Sequence, residues 1–175
     1  LDANNLYKNI KPSSSFYWHA KLKKARNLEL LGENENSILI LKKMSNEKKD
    51  RYDALKLLGD IYRNYDKYNE AIKFYNEGVS RIKQIEVTHW ELLYSRGIAY
   101  ERNDEWNLAE KDFLKILELI PDQPDVLNYL GYSWIEQNIN LDQAKKFILK
   151  AADIRPMDPY IIDSLGWAYF NLKEY

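Results

Sequence analysis

The chain has 175 residues, of which 45% are apolar and 30% charged, a balance that buries a core and excludes a disordered tail. No apolar run approaches the ~20 residues of a membrane span. Lys plus Arg number 26 and Asp plus Glu 27, a net charge of −1 that argues against a dedicated nucleic-acid binder. With no cysteine, disulfide frameworks, thiolate metal sites and cysteine nucleophiles are excluded, and two histidines, His19 and His89, are too few for a multi-histidine metal centre. The charge is uneven. Residues 1–51 carry 11 basic and 6 acidic side chains, a net +5, and residues 52–175 carry 15 and 21, a net −6. Such polarity can orient a partner or guide head-to-tail contacts; the plainer reading is a solvated surface.

In chain order, residues 1–17 read as a capping segment. Asn4, Asn5, Pro12 and Ser13–Ser15 break periodicity, so a short helix is expected near Leu6–Ile10, then a loop that caps a helix from Phe16 onward. Beyond it the sequence repeats. Gly59, Gly97, Gly131 and Gly166 are separated by 38, 34 and 35 residues, each preceded by Leu or Arg and followed three residues later by an aromatic, Tyr62, Tyr100, Trp134 and Tyr169. Twelve or thirteen residues after the first three come Ala71, Ala109 and Ala144, and four later the large residues Tyr75, Phe113 and Ile148. Apolar side chains at three- and four-residue spacing, as in Leu93, Gly97 and Tyr100, form the stripe of an amphipathic helix. The units predicted are 18–51, 52–89, 90–123, 124–158 and 159–175. In the first, Ala25 takes the glycine place, Gly32 the turn, and Ser37, Leu41 and Met44 the core. The unit 52–89 holds four extra residues around Gln84–Val87, and 124–158 one extra in the turn Asn138–Leu141. The last, 159–175, reads as a single helix cut at its turn. Pro124 and Pro159 suit the first helical position, with Asp158 as an N-cap. Tyr62, Tyr100, Trp134 and Tyr169 read as core.

A period near 34 with L-G-x2-Y, then A-x3-F, then a closing proline at Pro121 or Pro156, resembles the tetratricopeptide repeat, with 18–51 a degenerate copy. The run from Leu127 to Leu172 is also similar to bacterial proteins of many such repeats. The resemblance implies an all-α, right-handed superhelical solenoid of stacked antiparallel helix pairs. It also implies that the first helix of each pair lines a concave groove. The inward places of those helices include Tyr94, Ile98, Asn128, Tyr129, Tyr132, Ile135, Tyr160, Asp163 and Trp167, so the lining grows more aromatic toward the C-terminus. Exposed aromatic clusters usually mark contacts.

The subfamily that clamps acidic chaperone tails places Lys, Arg and Asn at set positions, where this chain has Lys56, Asp60, Ser95, Asp125 and Tyr129. The clamp is therefore absent. No G-x-S-x-G, H-E-x-x-H or Gly-rich phosphate loop occurs. The function expected is a non-catalytic scaffold that holds a peptide or helical segment of a protein partner in the groove, without cofactor, metal, nucleic acid or membrane span. The alternatives are the recognition arm of an enzyme whose catalytic domain lies outside this chain, and an RNA-binding helical repeat, which the acidic C-terminal half disfavours. Weak self-association through the incomplete last repeat is a further expectation. The sequence leaves the compartment open between bacterial cytoplasm and periplasm, with envelope association compatible.

Overall fold

In the computed structural model of the chain, Tyr7 and residues 9–173 are described. Of the short helix expected over Leu6–Ile10, Leu6 and Lys8 lie outside the described residues. Asn9 and Ile10 belong to a turn closed by the Ile10 N–H on the Tyr7 carbonyl. Nine α-helices follow among the described residues, with no strand. They are α1 (Tyr17–Leu30), α2 (Asn34–Glu47), α3 (Asp53–Asn64), α4 (Tyr68–Ser80), α5 (Trp90–Arg102), α6 (Trp106–Leu119), α7 (Pro124–Glu136), α8 (Leu141–Ile154) and α9 (Pro159–Asn171). A 3-10 turn, Val87–His89, precedes α5 and takes up part of the extra length between α4 and α5. Among the described residues no helix is long and apolar enough to cross a membrane.

The helices form two compact units. The first holds α1–α4 and Ile98–Glu105. Its core joins Ala25, Leu41, Met44, Ala54, Leu55, Leu58 and Ile61, with Trp18, Leu22 and Phe74 packed against it. α1 packs on α2, α2 on α3 and α3 on α4, and α1 also touches α3. Polar ties fix these contacts. The Trp18 indole N–H donates to Asp53 at 2.8 Å, and the Ser37 hydroxyl donates to the Ala25 carbonyl at 2.7 Å. The Arg81 guanidinium reaches back to the carbonyls of Ser45, Lys48 and Arg51 at 2.9–3.1 Å, pinning the end of α4 to the α2–α3 connection. The second unit holds Glu86–Gly97 and Trp106 onward. Here Leu127, Ala151 and Ile161 are buried together, and α9 packs on both α8 and α7.

Every hairpin turn uses the same device. Gly32, Asp66, Asp104, Asn138 and Lys173 all have positive φ, between 55° and 78°. Each sits two residues past the end of α1, α3, α5, α7 or α9. In the first four, the next residue donates its N–H to a carbonyl of the helix's last turn, as Glu105 does to Tyr100 at 2.8 Å and Ile139 to Trp134 at 2.9 Å. This is the Schellman closure, which needs a left-handed residue and most often takes glycine. Four of the five turns use Asp, Asn or Lys instead. Two helix starts are capped by side chains: Gln123 and Asp158 accept from the N–H groups of Asp125 and Tyr160, each before a proline.

The glycines at the repeat period let paired helices close up. A β-carbon on Gly59 would lie 2.3 Å from the Tyr75 ring, and one on Gly97 would lie 2.6 Å from the Phe113 ring. On Gly131 it would meet the Ala144 carbonyl and Ile148, both at 2.8 Å. Gly166 differs: nothing lies within 4 Å of that position. Tyr169 differs too. Tyr100 and Trp134 are buried as expected and Tyr62 is half-buried against Phe74, but Tyr169 is 37% exposed, with Lys145 over its ring. Both departures have one cause. α9 rests on α7 and α8, and no helix among the described residues packs on its other side.

Thermal melts should therefore sort the glycines. Gly59→Ala and Gly97→Ala should each cost about 1–3 kcal/mol by overpacking, and Gly131→Leu at least as much because it strikes backbone. Gly166→Ala should be neutral or gain roughly 0.5–1 kcal/mol, since alanine has the better helix propensity. The turns give a second series. Gly32→Ala should cost about 1 kcal/mol, purely from its positive φ, since a β-carbon there touches nothing. Asp104→Gly should raise stability by up to about 1 kcal/mol.

Candidate functional site

Three helix faces of the second unit carry the candidate residues. α5 supplies Tyr94. α7 supplies Asp125, Asn128, Tyr129 and Tyr132. α9 supplies Tyr160, Ile161, Asp163 and Ser164, preceded by Asp158. Together these line a hollow of about 350 Å³. A second hollow, of about 570 Å³, shares Tyr132 and Asp163 and adds Ile162, Gly166, Trp167 and Phe170. Six of the nine residues expected at the groove line the first hollow and Trp167 lines the second. Ile98 and Ile135 line neither. Ile98 is half-buried in the first unit. Ile135 is only 4% exposed, because it lies in the last turn of α7, where the chain reverses and the Asn138 N–H closes on its carbonyl.

The floor of the first hollow is a set of rings. Tyr94 and Tyr129 meet edge to face at 6.0 Å, and both touch Phe113, at 6.0 and 5.2 Å. Such pairs are worth about 0.5–1.5 kcal/mol each beyond burial. Phe113, fully buried beside Gly97, backs the two tyrosines that line the hollow, so the glycine position and the hollow are linked through one side chain. The walls are more open. Tyr160 is 81% exposed, Trp167 38% and Tyr132 36%. The Trp167 ring stacks on Phe170 at 5.6 Å, and its indole N–H donates to Glu136.

Carboxylates rim this surface. Asp125 accepts two bonds from the Arg155 guanidinium, at 2.8 and 3.1 Å, and Asp158 lies 3.7 Å from the same group. Asp163 is exposed and has no ion-pair partner among the described residues. The Asn128 side-chain oxygen is shielded from solvent, and no protein donor reaches it. Position counting along a helix could not reach Asp158, which stands outside α9. Its signal was the proline that follows it.

α5 is fastened to α6 by a half-hidden ion pair. Arg96 donates to both oxygens of Asp112, at 2.7 and 2.6 Å. Burial pushes the Asp112 carboxyl above its ordinary 3.8, and the Arg96 hydrogen bonds and charge oppose that rise. The folded value thus exceeds the unfolded one. Asp112 favours the fold when protonated, and that contribution is lost as pH rises from about 3.8 through the folded value.

The tetratricopeptide repeat model matches residues 52–84. This is a tetratricopeptide-repeat fold. A repeat protein from Parabacteroides merdae superposes with a TM-score of 0.75 at 17% identity, over 98% of this chain and 66% of that one. The Cut9–Hcn1 assembly of the APC/C gives 0.74 at 16% identity, over 86% of this chain but 30% of the other. YrrB, described as a repeat protein with an unusual peptide-binding site, gives 0.71 at 15% identity, over 99% and 85%. At these identities the likeness is one of fold, and this chain spans less than a third of the Cut9–Hcn1 chain it matches.

Removing Arg96 should expose how far the helix pair α5–α6 depends on it. Arg96→Met leaves Asp112 buried and unpaired, a change that typically costs about 3–5 kcal/mol. The deficit against wild type should shrink as pH falls through the carboxylate range, because Asp112 then folds in protonated. Melts at pH 7 and pH 4 would show it.

Proposed function

We propose that this chain is a non-catalytic scaffold that holds a segment of a protein partner across Tyr94, Asn128, Tyr129, Tyr132, Tyr160, Asp163 and Trp167. The observation that carries the reading is the pair of adjoining hollows whose walls leave Tyr132, Tyr160, Trp167 and Phe170 open to solvent over a rigid ring floor. Exposing such side chains is costly without a contact to make, and Tyr and Trp are the residues most often found as interface anchors. Two relatives by fold support the use. YrrB is described as having a peptide-binding site, and Cut9 is held in a hetero-tetramer. Ile98 and Ile135 take no part in this reading.

The partner is found by capture with the intact protein from its native host, and its affinity is then measured by calorimetry. Tyr132→Ala and Trp167→Ala should each lose about 1–3 kcal/mol of binding, while far-UV circular dichroism and the melting point stay near wild type. Wild-type affinity in both variants would end the groove reading. Weak self-association through α9 is the second reading, supported by the exposure of Ile162, Tyr169 and Phe170 on that helix. A sedimentation coefficient independent of concentration would dismiss it.

A further inference from the structure

The chemistry of the two hollows is one-sided. α7 and α9, which supply most of the lining, contain three carboxylates, Asp125, Glu136 and Asp163, and no Lys, Arg or His. No cation is found among the residues that line either hollow. Three basic groups of this unit are engaged elsewhere. Lys145 lies over the Tyr169 ring, Lys150 pairs with Asp122, and Arg155 at the rim serves Asp125 and Asp158 together. Asp163 is common to both hollows and has no cation of its own among the described residues.

The neutral groups add no positive charge. Asn128 and Ser164 line the first hollow, the Asn128 side-chain oxygen shielded from solvent and the Ser164 hydroxyl donating to the Tyr160 carbonyl. The exposed Tyr132, Tyr160 and Trp167 rings line the hollows together with Asp163, and aromatic faces of negative quadrupole attract a Lys or Arg head group. The lining therefore asks for positive charge, with apolar surface beside it. An acidic segment would set like charge against like, which costs binding and turns away wrong partners.

Resting on the groove reading above, we propose that the occupant is a cationic segment of a separate protein. One of its Lys or Arg side chains lies at Asp163 between the Tyr132 and Trp167 rings, and its apolar neighbours rest on Tyr94, Tyr129 and Phe170.

A library of random short peptides displayed on phage, selected on the immobilised chain, reads the charge directly. The enriched peptides should carry Lys or Arg among apolar residues and few acids, and salt should weaken their retention. Asp163→Lys, at an exposed position, should melt like wild type, reject those peptides and enrich acidic ones instead. Asp163→Asn should weaken a selected peptide roughly two- to fivefold, the range of a half-exposed ion pair. Acidic or uncharged peptides that Tyr132→Ala abolishes would overturn the cationic assignment and leave the groove standing. No enrichment over empty beads, or peptides indifferent to both Tyr132→Ala and Trp167→Ala, would overturn both. A dimer of the chain that Asp163→Lys dissolves would put the basic segment in a second copy and overturn its assignment to a separate partner.

Discussion

The distance between the two helices of a hairpin governs the rest of this molecule. At Gly59, Gly97 and Gly131 the first helix comes so close to the second that a single methyl group would overlap Tyr75, Phe113 or Ile148. A large side chain in the second helix then occupies the space a smaller one would leave empty, and dense packing makes that contact stiff. Four of the left-handed turns, at Gly32, Asp66, Asp104 and Asn138, serve the same end. A Schellman closure returns the chain directly, without a long loop, so two amphipathic helices are brought together while their stripes still face each other. Close approach and tight reversal are thus two parts of one constraint, repeated along the chain.

That constraint reaches the groove through Phe113. Its ring is pressed beside Gly97 on one side and meets Tyr94 and Tyr129 on the other. The floor of the first hollow is consequently fixed by core packing and does not depend on a ligand to order it. Preorganised aromatic surface loses little side-chain entropy on binding, which is why rigid rings make good anchors. The walls follow another logic. Tyr160 and Trp167 are exposed on α9, which among the described residues packs on α7 and α8 alone, so the walls have less support than the floor.

How much of this was readable beforehand depends on which residues carry it. The helices were legible because the glycine, alanine and large apolar residues recur in register, and period is the strongest signal a sequence offers. Turns were legible at Gly32, around Asn138 and at the end of the last helix, but the left-handed backbone was signalled by residue type only at Gly32. Asp66 and Asp104 do the work of glycine without looking like it, since Asp tolerates positive φ. Ile135 illustrates a different loss. Counting places along a helix assumes that the whole helix keeps one face outward, but the last turn is wrapped by the chain as it reverses. Tyr169 and Gly166 were read as copies of their counterparts, and they are copies in sequence. Their environment is different because burial belongs to neighbouring helices and not to the residue.

The charge pattern shows how local detail decides between readings that composition leaves equal. A net charge of −1 says nothing about a partner, and the basic first 51 residues and acidic remainder are compatible with a merely solvated surface. What changes the weight is where four cations of the second unit are spent. Arg155 is bound to carboxylates at the rim, Lys150 and Lys145 are occupied away from the hollows, and Arg96 is committed to Asp112. A surface assembled only for solubility would intersperse both signs. Here the two helices that line the hollows keep acids and aromatic rings and hold no Lys, Arg or His, so the face combines apolar area with acidic charge. On the proposed binding reading, area of this kind would supply affinity and the sign of the charge discrimination, because a partner of the wrong charge would meet the same rings at an electrostatic cost.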